Sequence, residues 1–301
     1  MAILVQVCAQ GQAICLDNTL AVIIFVVMLF NLFAEMDIKS AENDKDMFTE
    51  YLDAFSTTYH LVTCVNLNGV DNSCVLHLAT NSSNREIAAG MATSKVAICD
   101  PKTLSEKSSF KAHTGDLSGV RFSPKNDHLL YTCSPQECIK LWDLRDYAKP
   151  ARTFVDTSTQ NGKAGNGHTG EDINTYPKKP LIAFDVNIED KFLAGGTEEV
   201  VKDAFLLFWD VGSGKMLGGY WNSYGDDVTT VAFHPEEADK LVTGGTDGLI
   251  NVFDISQSSE DDALITSINT ESSIQNLKWY KVRFFHCSVK DLFSNFLIFS
   301  S

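Results

Sequence analysis

The chain has 301 residues, with 24 Lys+Arg against 39 Asp+Glu, a formal charge of −15 and a pI near 4.8. That charge balance excludes nucleic acid as the main partner, because a polyanion needs a basic face. An apolar fraction of 44% describes a globular chain, and the eight cysteines contain no CxxC spacing, which speaks against structural zinc and for reduced intracellular thiols.

In chain order, residues 19–34 (TLAVIIFVVMLFNLFA) form the most apolar stretch. They fall short of the roughly 20 residues that a spanning helix needs. No Lys or Arg precedes Lys39, so a membrane anchor and a secretory signal both lack their usual flanking charge. Three readings stay open for residues 1–35: an extension upstream of a start at Met36, a membrane anchor at residues 19–34, or a signal or buried segment. Residues 36–58 form a polar lead-in. The sequon Asn81-Ser82-Ser83 is weak evidence of secretion, since the pattern is short and common.

Internal repeats then dominate. Residues 86–100, 129–144, 192–211 and 241–255 each read as a short strand, a small-residue turn and a second strand ending in apolar-apolar-Asp. The terminal residues Asp100, Asp143, Asp210 and Asp254 are 43, 67 and 44 residues apart. A period near 43 fits a four-stranded propeller blade. The longer gap contains residues 156–179, rich in Gly, Asn and Thr, which predicts a loop insertion. A second small insertion, residues 198–203, separates two strands of one blade. A further strand precedes each unit from the second onward: Val120-Arg121-Phe122-Ser123-Pro124, Ile182–Val186, Val231-Ala232-Phe233-His234-Pro235 and Ile274–Trp279. Their alternation places one face in the core. Outer strands are predicted at 151–155 and 263–268.

Two Trp-Asp pairs, Trp142-Asp143 and Trp209-Asp210, the degenerate Phe253-Asp254, and His113 make residues 86–280 resemble the WD-repeat β-propeller family. The resemblance implies an all-β fold whose blades are locked by a His, a Ser or Thr, an Asp and a Trp around the turn between the second and third strands. Carried over residue by residue, His113 and Trp142 match in one blade, but Gln136 holds the turn position of the Asp. Asp203 lies six residues before Trp209, and Asp247 six before Phe253, with no matching His upstream. No blade carries the full set, so apolar packing is expected to dominate stability.

Relatives close with about seven blades. This chain offers four, a poorly marked partial blade in residues 59–80, and a fifth that begins at Ile274 and stops at Trp279 or Tyr280. Residues 59–280 are therefore the predicted propeller region. Residues 281–301 read as a tail without blade pattern, and truncation is the expected cause.

No GxSxG, Walker loop or HExxH occurs. No catalytic, cofactor-binding or metal-ligating residue is predicted. Gly195-Gly196 and Gly244-Gly245 read as strand glycines that allow close packing. The acidic segment 256–262 reads as a solvated connection, with phosphorylation at Ser258 or Ser259 as the alternative. Asp116, Tyr224, Asp226, Asp227 and Asp247 are predicted on one rim. Ordinary turn chemistry accounts for them; the functional alternative is an acidic docking surface with an aromatic anchor for basic protein segments. By analogy with the family the expected role is a non-catalytic scaffold for protein partners, cytoplasmic or nuclear. The alternatives are a propeller tethered to a membrane by residues 19–34 and a truncated, non-functional product.

Overall fold

The computed structural model describes residues 74–136, 138–157 and 179–280, together with the strand backbones Val22–Ile23, Cys64–Val65, Phe284–Val289 and Asn295–Phe299. The apolar run at 19–34 and the lead-in at 36–58 lie outside the described residues, apart from Val22–Ile23, whose backbone pairs antiparallel with Cys64–Val65. Among the described residues, no helix is long and apolar enough to cross a membrane.

Four four-stranded antiparallel sheets follow one another along the chain, each strand paired with its sequence neighbour. Blade 1 comprises Val75–Thr80, Ile87–Met91, Lys95–Cys99 and Glu106–Lys111; blade 2, Gly119–Phe122, Leu129–Cys133, Ile139–Asp143 and Arg152–Phe154. Blade 3 comprises Leu181–Val186, Phe192–Thr197, Leu206–Asp210 and Met216–Tyr220; blade 4, Val228–Phe233, Lys240–Gly245, Leu249–Asp254 and Leu264–Asn269. Of the partial blade read at 59–80, Val75–Thr80 is the inner strand that completes blade 1, while residues 59–73 lie outside the described residues apart from the backbone of Cys64–Val65.

The tail also differs from expectation. The strand Ile274–Tyr280 pairs with Phe284–Val289, which pairs with Asn295–Phe299, giving a three-stranded fifth sheet. Residues 284–289 (FFHCSV) and 295–299 (NFLIF) lack the terminal Asp that marked the other repeats. They are aromatic-rich runs, a composition that favours strands.

The core lies in the seams between blades. Strand alternation sends neighbouring residues to opposite faces, so each sheet contributes to two seams. Ala88, Val96 and Phe110 of blade 1 meet Leu130 and Trp142 of blade 2. Tyr131, Ile139 and Phe154 meet Leu193, Leu207 and Trp209 of blade 3, while Leu206 and Phe208 meet Val231, Leu241 and Phe253 of blade 4. Val242, Ile250 and Val252 then meet Ile274 and Leu277. Each fully buried large apolar side chain is worth about 1.5–3 kcal/mol, more than a single neutral hydrogen bond at about 0.5–1.5 kcal/mol.

Close packing explains the strand glycines. A Cβ on Gly90 would sit 2.7 Å from Val120, on Gly196 2.6 Å from Val228, and on Gly244 2.7 Å from Ile274. These three glycines share one register position, on the strand next to the inner one, against the following blade. Gly244 thus corresponds to Gly196; the two glycine pairs are offset by one residue.

The insertion in the longer gap springs from a tight base. Asp156 and Lys179, at its two ends, form a buried ion pair at 3.3 Å, and the Lys179 ammonium lies over the rings of Phe205 at 5.0 Å and Trp221 at 5.3 Å. A carboxylate and two aromatic faces together offset the cost of burying that ammonium.

Candidate functional site

The blade-locking residues come first, because they set the rim. In blade 2, His113 Nε2 and Thr132 Oγ1 are 2.8 Å apart, and Trp142 Nε1 donates to the same oxygen at 2.9 Å, all buried. Gln136, at the turn, accepts from Ser134 Oγ at 3.1 Å.

Blade 4 repeats this arrangement with different chemistry. The Tyr224 hydroxyl and Thr243 Oγ1 are 2.6 Å apart, and Phe253 takes the tryptophan's place. Tyr224 precedes Phe253 by the same 29 residues that separate His113 from Trp142. The tyrosine therefore fills the position where the sequence showed no histidine. This overturns its reading as an exposed docking anchor: Tyr224 is 4% exposed, and burial pushes its hydroxyl pKa upward.

Blade 3 departs furthest. Gly195 stands at the position of Thr132 and Thr243, and Trp209 Nε1 donates instead to the Val155 carbonyl at 2.9 Å. Asp203 takes no part in this lock; it is exposed and bridges Val200 through its backbone. The repeat marked by terminal aspartates has a simple cause. Asp100, Asp143, Asp210 and Asp254 accept backbone N–H groups of Lys102, Arg145, Ser213 and Ser256 at 2.9, 3.0, 2.6 and 3.0 Å, closing the turn to the outer strand. Side-chain hydrogen bonds from Arg145, Ser213 and Ser256, then these amides, hold Asp143, Asp210 and Asp254 below the ordinary range, and for Asp100 the amides lead; Asp143 falls to about 2.

At the other end of the blades, the residue after each inner strand caps the next turn. Asn81 and Asn187 accept two backbone N–H groups each, Ser123 accepts from Asn126, and His234 Nδ1 accepts from Glu236 and Glu237. All four are buried. The sequon asparagine is thus closed off, 3% exposed, with its amide oxygen engaged in the turn.

Antiparallel order puts the loop entering each inner strand on the same face as the turn between the second and third strands. On that rim Asp226 and Asp227 meet Asp247. The Asp227 amide donates to Asp226 Oδ1 at 2.8 Å, and the Thr246 amide donates to the Asp227 carbonyl at 3.0 Å. Burial, then the Asp226 charge, raises the Asp247 pKa. Asp116 is exposed three residues after His113, where Asp227 follows Tyr224, so it holds the equivalent place two blades away.

The insertion at 198–203 supplies what the sequence reading missed. Its hairpin tip reaches this rim, where the Glu199 amide donates to Asp227 Oδ1 at 2.7 Å. Glu198 and Glu199 are exposed, and Val201 is 68% exposed. Val201 and Lys202 also hold positive φ, 57° and 70°, a conformation that a β-branched residue adopts only when its surroundings impose it. The location of that insertion, between the second and third strands of its blade, was the available signal.

The acidic segment 256–262 is a structural latch. It forms a short helix, Glu260–Ala263, whose N-cap is Ser259. The Glu260 carboxylate accepts Trp221 N at 2.7 Å, Asn222 N at 2.9 Å and Ser223 Oγ at 2.5 Å.

The inner strands of all five sheets border a cavity of about 620 Å³. Among the described residues, no group of three or more His, Cys, Asp or Glu side chains is arranged to hold a metal.

Comparison with known proteins agrees with this geometry. The model of the WD domain, G-beta repeat, matches residues 104–143 and 217–254. Each match spans the outer strand of one sheet and three strands of the next, so the sequence repeat is offset from the structural blade by one strand. Two stretches of the chain thus match the WD repeat, and its four four-stranded antiparallel sheets are consistent with WD-repeat propeller blades. It is similar to the WD repeat-containing protein 89 homolog of Dictyostelium discoideum, 25% identical over 226 residues, covering 75% of this chain and 54% of that protein. The WD repeat-containing protein GTS1 of Arabidopsis thaliana is 29% identical over 193 residues, covering 62% and 43%. A guanine nucleotide-binding protein subunit beta of Solanum tuberosum is 23% identical over 189 residues, covering 60% and 45%. The chain spans about half the length of these relatives.

Proposed function

We propose that this chain is a non-catalytic scaffold whose rim binds a basic segment of a protein partner. WD-repeat proteins generally act as platforms for protein contacts, and the rim gives that role a chemistry here. The observation that carries the reading is the convergence of Asp226, Asp227 and Asp247 with the hairpin tip carrying Glu198, Glu199 and Val201. A carboxylate cluster on rigid strand ends attracts Lys and Arg side chains and speeds their encounter. The exposed valine adds an apolar contact beside the charges. Asp116 continues the acidic character on the same face.

The test is titration of fluorescently labelled Lys/Arg-rich peptides against the full chain. Charge reversal, Asp226→Lys with Asp227→Lys, should weaken binding at least tenfold, and Val201→Ser severalfold. Affinities that are unchanged in both variants would overturn the reading.

A further inference from the structure

The cavity among the inner strands differs from the rim in charge. One register position recurs on all five strands, occupied by Ala79, Arg121, Asp185, Ala232 and Lys278. All five border the cavity. The level therefore carries two cations and one carboxylate.

The carboxylate is already engaged. Asp185 is 2% exposed; its Oδ1 accepts the Val186 amide at 2.8 Å and pairs with Arg121 Nε, and its Oδ2 accepts the Phe233 amide at 2.8 Å. Burial raises the Asp185 pKa, while the Arg121 charge and these amides work the other way. The pair orients the guanidinium, whose side chain stays half exposed. Lys278 comes from blade 5 at the same level. The protein walls around it, then the Arg121 charge, push its pKa down to about 8. Its side chain nonetheless meets solvent, which limits that shift and leaves the ammonium protonated at neutral pH. His77, two residues before Ala79 on the same strand, has its pKa lowered by burial, against the Leu117 carbonyl that its Nε2 meets at 3.0 Å. In a chain of charge −15, Arg121 and Lys278 against Asp185 leave this level of the cavity with one net positive charge.

We infer that the inner-strand cavity binds an acidic segment of a protein partner, with Arg121 and Lys278 receiving its carboxylates. Its volume of about 620 Å³ exceeds what one small anion fills, and the amide side chains of Gln275 and Asn276 lie along its wall; the Ser118 and Thr229 hydroxyls there already donate to the Leu181 and Ile274 carbonyls. A guanidinium fixed by Asp185 favours planar carboxylates.

The probe is a fluorescein-labelled oligoglutamate titrated against the full chain at low salt. Saturable binding is expected, weakened about five- to tenfold by Lys278→Gln and severalfold by Arg121→Lys, which keeps a cation beside Asp185. Arg145→Gln, an exposed surface charge paired with Asp143, serves as the control and should leave affinity unchanged. Urea melts of each variant confirm that the fold is retained. The inference is overturned if no saturable binding occurs, if Lys278→Gln binds like the parent, or if the control loses as much. It is also overturned if inorganic phosphate displaces the peptide at comparable charge concentration, since the site would then be one for small anions.

Discussion

Thr132→Val tests the blade lock at a single atom. The substitution keeps side-chain volume and removes the one hydroxyl shared by His113 Nε2 at 2.8 Å and Trp142 Nε1 at 2.9 Å. Thr132 is 0% exposed, His113 2% and Trp142 4%, so water does not replace the lost partner. A stranded buried polar group costs about 1–3 kcal/mol. Two such groups, partly offset by the gained methyl contact, give a loss of about 2–4 kcal/mol. Thr243→Val in blade 4 removes one partner of the Tyr224 hydroxyl, which the Asn251 side chain still engages, and the long bond from Thr243 Oγ1 to the Asn251 carbonyl at 3.4 Å, and should cost about 1–2 kcal/mol. Equilibrium urea unfolding of the full chain, with an unchanged slope, reads both values. A Thr132→Val variant within about 0.5 kcal/mol of the parent, or a larger loss from Thr243→Val, would refute the reasoning.

Other perturbations follow from the same contacts. Glu260→Ala removes the acceptor of Trp221 N, Asn222 N and Ser223 Oγ, and should lower stability by about 1–2 kcal/mol in urea unfolding. Gly244→Ala drives a methyl into Ile274 and should cost about 1–3 kcal/mol, whereas Gly225→Ala, with open space around it, should be near neutral; paired urea midpoints decide. The depressed carboxyls of Asp100, Asp143, Asp210 and Asp254 contribute stability that is present above the ordinary value of 3.8 and is lost as pH falls through each lower folded value, about 2 for Asp143. Asp143→Asn should therefore flatten the fall in urea midpoint between pH 5 and pH 2, and an unchanged pH profile would count against the turn assignment.

Much of the fold was legible because strand alternation and turn chemistry are local. The terminal aspartates stood out for a physical reason, since each accepts backbone amides to close a turn. Inner strands such as Val120–Phe122 and Val231–Phe233 announced themselves by near-copy. Outer strands such as Glu106–Lys111 and Met216–Tyr220 did not, because they are half exposed and carry weak apolar patterning. The fifth sheet was missed because its second and third strands lack the Asp-closed turn.

The candidate site was less legible. Tyr224 read as an anchor because an aromatic near acidic loop residues has two destinations, and only its register with Thr243 places it in the core. The Glu198–Asp203 insertion was visible as extra residues, but its contact with Asp227 is tertiary. The charged level of the cavity needs five strands in register, which spacing alone does not display.

Hydrogen–deuterium exchange of the full chain, with and without a saturating Lys/Arg-rich peptide, tests the scaffold account most directly. The account predicts added protection confined to the rim, at residues 198–203, 224–228 and 245–248. Protection at the opposite face, around the turns after Asn81, Ser123, Asn187 and His234, or no protection on binding, would contradict it.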